Sequence, residues 1–322
     1  MIKYIFKRIA LAFLSCFVIM TLMFVLFKML PNPIEAQQGG FDKALSDMYE
    51  AWGYNKPIMV QYGIFLRRVF TKWDWGFCTT VGTFLQPVGS YLAGKLPATL
   101  YLNVLSVLFS LPLGIVFGTL AAVYKNKWQD HLIQIFIMIF ISVPSFVYAF
   151  LLQYFVAFKL GWCPLVFKDG SEWFSWPMLH SAILPVFSLS FGTIASYMRL
   201  IRAELTESLT SEYMLLARTK GLTRTQATVR HALRNSMVPL MPSILSEFIY
   251  IIMGSYIIEN IFAVPGIGRT SILAFQNRDY NVFMACQMFY VAIGLLAGIL
   301  ADLSYSFIDP RIRMGGNKNN EY

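Results

Sequence analysis

The sequence predicts an all-α membrane protein with six transmembrane helices. Of its 322 residues 57% are hydrophobic and only 13% are charged, and the apolar residues gather in long runs. Soluble globules rarely have such a composition. A bilayer core about 30 Å thick needs roughly 20 apolar residues in a helix, which satisfies its own backbone hydrogen bonds. The runs that meet or approach this length are residues 9–27, 99–123, 132–158, 179–198, 240–258 and 283–307.

The first run follows Lys3, Lys7 and Arg8, as the apolar part of a secretory signal would. It is too long for a signal and lacks a small-residue cleavage site, so we expect a retained span within residues 1–30.

Residues 31–98, which we call the outer segment, are too polar to span a membrane. Within them Tyr62, Phe65, Leu66, Val69 and Trp73 recur at helical spacing. This pattern predicts an amphipathic helix at the membrane interface. A cap that only packs on the helix bundle and a surface that docks a partner both remain open.

The distribution of Lys and Arg predicts the orientation, because cytoplasmic loops carry the excess of positive charge. Placing both termini in the cytoplasm puts fifteen basic residues inside and attributes the net charge of +9 to topology instead of nucleic-acid binding. They are Lys3, Lys7, Arg8, Lys125, Lys127, Arg199, Arg202, Arg218, Lys220, Arg224, Arg230, Arg234, Arg311, Arg313 and Lys318.

The four cysteines show no metal-ligand or redox spacing. Cys78 and Cys163 both fall outside in this topology, so a disulfide between them remains open. The three histidines, His131, His180 and His231, are scattered among different loops, and we expect no metal site and no catalytic residue.

No phosphate-binding loop of the G-x-x-x-x-G-K-[ST] type occurs, so the chain is not expected to bind or hydrolyse ATP. Gly266-Ile267-Gly268 superficially resembles a dinucleotide fingerprint. It lacks the third glycine and a preceding strand, and we expect a tight turn on the outer side.

Residues 199–239 form a loop with seven Lys and Arg residues between two predicted spans. Ser211 or Thr210 is suited to cap a helix beginning at Glu212, which Gly221 would end in a left-handed conformation. Thr223 and Gln226 match a capping box that starts a second helix. We call this predicted helix–glycine–helix, residues 211–234, the elbow.

The first helix of the elbow is expected to carry Tyr213, Leu216, Ala217 and Lys220 on one face. The second would carry Arg230 and Arg234, and Pro239 would mark the start of the next span. A rigid elbow anchored to two spans can transmit force. The alternative is a basic loop that contacts lipid and merely follows the positive-inside rule.

This loop resembles the coupling loop, or EAA motif, of the inner-membrane permease subunits of ABC importers in the oligopeptide and dipeptide branch, of the B type. The literal Glu-Ala-Ala is here Leu215-Leu216-Ala217. The matching runs are Ala217-Arg218-Thr219-Lys220-Gly221-Leu222 and Arg230-His231-Ala232-Leu233-Arg234-Asn235, with Asp74-Trp75-Gly76, Leu96-Pro97-Ala98-Thr99-Leu100, Glu259-Asn260-Ile261-Phe262, Pro265-Gly266-Ile267-Gly268-Arg269, Arg278-Asp279-Tyr280 and Asp309-Pro310-Arg311-Ile312-Arg313 elsewhere.

The resemblance implies a type I ABC importer permease fold with its core in residues 99–322, in a bacterial inner membrane. The implied partners are a second permease subunit, two cytosolic ATPases that bind ATP and Mg, an external peptide-binding lipoprotein, peptide and lipid. Contact with the ATPases would fall to Tyr213, Leu216, Ala217, Arg218, Lys220, Gly221, Leu222, Arg230, His231 and Arg234.

Charged groups inside spans are costly and therefore candidates for function. We expect Glu247 to line the translocation cavity and meet the amino terminus of a peptide; a buried hydrogen bond and an inter-subunit contact remain open. Asp302 is expected to pair with an inner-loop Arg.

The competing functions are a proton-coupled secondary transporter that uses Glu247 and Asp302 as relays, and a peptide-sensing scaffold that moves nothing. Within the importer class, nickel complexes or glutathione-like molecules are alternative substrates.

Overall fold

The computed structural model describes the backbone of residues 2–30, 47, 50–170 and 172–308, and the side chains of these except 2–5, 302 and 304–308. Within these residues the regular structure is helical, apart from an isolated bridge between Phe77 and Pro87. The predicted all-α class is therefore confirmed for the described part of the chain. Three expectations lie outside it: the side chain of Asp302, the closing run 309–313, and the start of the outer segment.

The α-helices are α1 (Ile2–Met29), α2 (Ile58–Lys72), α3 (Val88–Val123), α4 (Trp128–Ser142), α5 (Ser145–Leu152), α6 (Trp176–Leu209), α7 (Glu212–Thr219), α8 (Arg224–Ala227), α9 (Leu233–Met237), α10 (Met241–Tyr250), α11 (Tyr256–Ile261), α12 (Ile267–Gln276) and α13 (Tyr280–Ile308). Gln153–Lys159 and Thr228–Ala232 continue their neighbours as π-helix, and Val238–Leu240 as 3₁₀-helix.

Among the described helices, α1, α3, α6 and α13 are each long and apolar enough to cross a membrane. A bent pair, Trp128–Ser142 with Ser145–Lys159, raises the number of candidate spans to five if it counts as one. The structure thus gives four or five candidate spans where the sequence predicted six, and the two discrepancies have separate causes.

The predicted span 132–158 bends by 100° between α4 and α5. Pro144 is the N-cap residue of α5, and Val143 before it is extended, with φ −90° and ψ 125°. A proline disfavours helical backbone in the residue that precedes it, and this restriction breaks the run.

The predicted span 240–258 is not one helix. Its helix α10 has ten residues, about 15 Å, so only this part of the predicted span is α-helix, whereas a bilayer core is about 30 Å thick. The chain then turns at 251–255, where Gly254 has φ +72°, and Asn103 Nδ2 donates to the Ile251 carbonyl oxygen at 2.9 Å. Upstream, the helical run continues unbroken from Arg224 to Tyr250.

The chain divides into two compact units. The first comprises Met1–Thr99 and Met253–Leu295, and its apolar core includes Phe24 of α1, Phe65 and Val69 of α2, and Val282 of α13. Helix α2 forms where the sequence predicts an amphipathic helix and buries Phe65 and Val69, but Trp73 lies just past its end and is 74% exposed, outside the predicted stripe. Its place at the membrane interface stays a prediction.

The buried carboxylate of Asp279 binds the backbone of the outer segment within this first unit. Asp279 is fully buried, and its Oδ2 accepts hydrogen bonds from the backbone N–H groups of Thr79, Thr80 and Val81 at 2.7, 2.9 and 3.1 Å. Cys78, beside them, is a buried free thiol, and Cys163 is also free. The disulfide left open by the sequence is not formed in this structure.

The second unit comprises Leu100–Ile252 and Leu296–Tyr322. Within it α3 and α6 approach closely where α3 carries Gly114 and Gly118. A Cβ at Gly114 would lie 2.7 Å from Tyr197 Cβ, and one at Gly118 would lie 2.9 Å from Ile201 Cβ. Ser106 and Ser190 also share a buried hydrogen bond of 3.0 Å between the two helices. Small residues and hydroxyl pairs of this kind are typical of helix contacts in membranes.

Candidate functional site

The elbow has the helix–glycine–helix order that the sequence predicts, although its second helix continues without a break through Pro239, where a new span was expected to begin. Helix α7 ends at Thr219, and Gly221 follows with φ +89°. The Gln226 N–H donates to Thr223 Oγ1 at 3.3 Å and the Thr223 N–H donates to Gln226 Oε1 at 3.1 Å, which completes the capping box of α8. Ser211 is the N-cap residue of α7, but its hydroxyl donates to the Ser208 carbonyl oxygen at 2.6 Å and makes no side-chain cap bond.

One side of the elbow is anchored in an apolar cluster of the second unit. The cluster is formed by Met214 and Ala217 of α7, Ala227 and Ala232 beyond the glycine, and Leu205 of α6, with Ala122 of α3. Ser208 adds polar anchors, since its hydroxyl donates to the Ala232 carbonyl oxygen at 3.0 Å and contacts the Tyr213 hydroxyl. The elbow is therefore fastened to the end of α6 through both of its arms.

The residues that the sequence places on one face of α7 do not all face the same way in the structure. Ala217 faces the cluster, and Leu216 is 56% exposed on the opposite side together with Leu215 at 67%. The buried stripe is Met214 with Ala217, at a spacing of three residues. The sequence interpretation placed Ala217 on one face with Tyr213, Leu216 and Lys220, because periodicity alone does not say which face of a short helix is covered.

The outward side of the elbow combines apolar and basic groups. Leu215, Leu216 and Val229 are more than half exposed, and the basic residues around them are also exposed: Arg218, Lys220, Arg224, Arg230, His231 and Arg234. Such a patch, apolar at its centre and charged at its rim, is typical of protein interfaces. Leu215 and Val229 are interface candidates that sequence reasoning missed, because their exposure was not visible in the pattern.

A buried ion pair holds the same end of the second unit together. Arg202 of α6 donates to Asp130 of α4 through Nε at 2.6 Å and Nη2 at 2.8 Å. Asp130 is fully buried and also accepts from the Asn126 N–H at 2.9 Å and from Gln134 Nε2 at 3.0 Å. The sequence interpretation counted Arg202 only as part of the positive loop. It overlooked Asp130, an acidic residue in the first turn of the apolar helix α4, which could have indicated a buried pair.

A cavity lies within the second unit, and its lining includes Glu247. Its volume is about 520 Å³, within the usual range for small-molecule sites. Leu189, Leu200 and Gly192 line it together with hydroxyl-bearing residues of three helices, which are Ser145 and Tyr148 of α5, Thr193, Ser196 and Tyr197 of α6, and Ser243, Ser246 and Tyr250 of α10.

In the first unit, Glu259 accepts hydrogen bonds from the run that the sequence interpretation took for a tight turn. Gly266 precedes α12, and Glu259 Oε2 accepts from the N–H groups of Gly268 and Arg269 at 2.8 and 3.2 Å. A Cβ at Gly266 would lie 2.3 Å from the same oxygen. The glycines therefore make room for a carboxylate at a helix start, and the tight-turn prediction for 266–268 is wrong.

The chain matches two family models over nearly its whole length. Residues 114–314 match the binding-protein-dependent transport system inner membrane component, and residues 1–103 match the N-terminal part of a binding-protein-dependent transport system membrane component.

Named relatives align end to end with this chain. The dipeptide transport system permease protein of Lactococcus lactis is 32% identical, covering 98% of this chain and 100% of its own length. The oligopeptide transport system permease protein of Haemophilus influenzae is 30% identical, with 97% and 100% covered. The dipeptide permease of Bacillus subtilis is 30% identical, with 98% and 99% covered.

A crystal structure of an amino acid ABC transporter aligns with a TM-score of 0.46 and 18% identity over 70% of this chain and 94% of its own, too weak a likeness for an argument. The family models and the relatives suffice, and with its long apolar helices the chain is a multi-pass membrane protein that belongs to the family of binding-protein-dependent transport system inner membrane components.

Proposed function

We propose that this chain is a transmembrane permease subunit of an ATP-driven peptide importer in a bacterial inner membrane. The observation that carries the proposal is its end-to-end similarity, at 30–32% identity, to relatives named as dipeptide and oligopeptide permeases. Similarity that extends from the first apolar run to the last helix favours a shared architecture over a shared segment.

In this proposal the working complex contains a second, homologous permease, two cytosolic ATPases and an external peptide-binding lipoprotein. The chain crosses the bilayer six times with both termini in the cytoplasm, and the interrupted run 240–258 serves as the fifth crossing. ATP and Mg belong to the ATPases, and this chain contributes half of the translocation pathway.

The elbow is the proposed contact with one ATPase. Leu215, Leu216 and Val229 would enter a groove on the ATPase, with Arg218, Lys220, Arg230, His231 and Arg234 at the rim of the contact. Because both arms of the elbow are fastened to the end of α6 through Met214, Ala217 and Ala232, movement of the ATPase would be passed to that helix instead of being absorbed by a loose loop.

The test is transport by the purified, reconstituted complex. We expect vesicles with the peptide-loaded binding protein on one side and ATP on the other to accumulate labelled peptide, in a manner blocked by vanadate and unaffected by a proton ionophore. Uptake that needs a proton gradient and no ATP would select the secondary transporter and overturn the proposal. Competition by nickel complexes or glutathione, but by no peptide, would overturn the peptide assignment alone.

A further inference from the structure

The cavity at Glu247 places one carboxylate among residues that carry hydroxyl groups. Ser243, Glu247 and Tyr250 succeed one another at helical spacing on α10, and Thr193 and Ser196 of α6 belong to the same lining. Hydroxyl groups both donate and accept hydrogen bonds, so they can surround either a water molecule or a ligand group that needs several partners. Glu247 is the only acidic residue in this lining.

Among the residues that the structure describes, none supplies a counter-charge to the Glu247 carboxylate. Within the part of the chain that the structure describes, no hydrogen bond or ion pair to its side chain is formed, and the cavity lining contains no Lys, Arg or His. A carboxylate inside a membrane protein is costly and is normally paired or functional. The residue is therefore suited to receive a cation from outside the chain.

The shape and chemistry of the cavity restrict that cation. A volume of about 520 Å³ accommodates far more than a metal ion, and carboxylate plus hydroxyl oxygens match the three donors of an ammonium group. Leu189, Leu200 and the rings of Tyr148 and Tyr250 supply apolar surface next to those oxygens. A short peptide with a free amino terminus presents both an ammonium group and apolar side chains.

We propose that Glu247 binds the amino-terminal ammonium group of the transported peptide, so that the permease itself selects against peptides with a blocked amino terminus. The inference rests on the proposed importer function and adds a specificity determinant inside the membrane. It places selection in this chain as well as in the external binding protein.

The test compares one tripeptide that the reconstituted complex imports with its N-acetylated form, each at a concentration that saturates the binding protein. We expect the wild-type complex to import the free peptide at least about tenfold faster, because a charge-assisted hydrogen bond is lost on acetylation. Glu247→Gln should lower uptake of the free peptide to the rate of the acetylated one. Glu247→Asp keeps the charge and should keep the preference.

Glu172→Gln is the matched control, since Glu172 is an exposed acid outside the cavity, and it should behave as wild type. Co-purification with the ATPases checks assembly of each variant. The inference is overturned if wild type imports both peptides equally, if Glu247→Gln keeps the preference, or if an assembled Glu247→Gln complex imports neither peptide. Failure of the wild-type complex to import any peptide would instead contradict the proposed function.

Discussion

At the residue scale, Glu259 is a buried acid of the first unit whose protonation is coupled to stability. It is 2% exposed, Thr99 Oγ1 donates to its Oε1 at 3.0 Å, and the first N–H groups of α12 donate to its other oxygen. Burial raises the pKa of Glu259 to about 7, although these hydrogen bonds favour the ionised form. The loss of hydration thus outweighs the donors gathered around the carboxylate.

We predict that the free energy of unfolding of the first unit, which contains Glu259, falls as the pH rises from about 5 to about 8. The folded-state pKa lies above the ordinary value of 4.5, so the contribution of Glu259 is complete below that value and is lost as the pH passes through about 7. A pKa difference of one unit between the folded and unfolded states corresponds to about 1.4 kcal/mol in the free energy of unfolding.

Thermal unfolding of the purified protein across this pH range measures the effect. Glu259→Gln should flatten the profile, whereas Glu172→Gln should leave it sloping. Identical slopes for wild type and Glu259→Gln would show that another group controls the pH dependence.

At the element scale, the contact of α3 with α6 depends on the absence of side chains at two glycines. Gly118 lies closer than Gly114 to the backbone of α6. A Cβ at Gly118 would lie 3.0 Å from the Met198 carbonyl oxygen and 2.9 Å from Ile201 Cβ. A backbone oxygen cannot rotate away as a side chain does. The helices would have to separate, and part of their close contact would be lost.

Gly118→Ala is therefore expected to destabilise the protein by about 1–3 kcal/mol, the usual effect of overpacking. Gly94 lies in the same helix with no atom within 4 Å of its Cβ position, so Gly94→Ala should be neutral or stabilise by up to about 1 kcal/mol. Chemical or thermal unfolding in detergent compares the two variants. Equal effects would mean that helix propensity, and not close approach, determines the result.

The elbow shows which local features a sequence specifies. Gly221 and the Thr223–Gln226 capping box follow from backbone conformation and hydrogen bonding between near neighbours, and both appear in the structure as predicted. The buried face of α7 could not be predicted, because it depends on Leu205 of α6, a partner outside the loop. Likewise, Asp130 and Arg202 are 72 residues apart in sequence, and only the folded chain shows that they pair.

At the scale of the whole molecule, hydropathy predicted the helical class and most of the apolar runs, but it cannot detect where a run is broken. Ile251, Ile252 and Met253 are as apolar as the helix before them, so the turn after α10 leaves no mark in a hydropathy average. Pro144 did leave a mark within the run 132–158. It should have predicted a bend, because proline restricts the residue before it.

The central claim for the whole molecule is that a soluble ATPase binds the exposed side of the elbow. The most direct measurement replaces Leu216 with a photoreactive amino acid in the assembled complex, with the exposed Phe174 of the connection before α6 as the control position. We predict a covalent adduct with an ATP-binding subunit from position 216 and none from position 174. An intact, transporting complex that gives no such adduct from Leu216, Leu215 or Val229 would contradict the account.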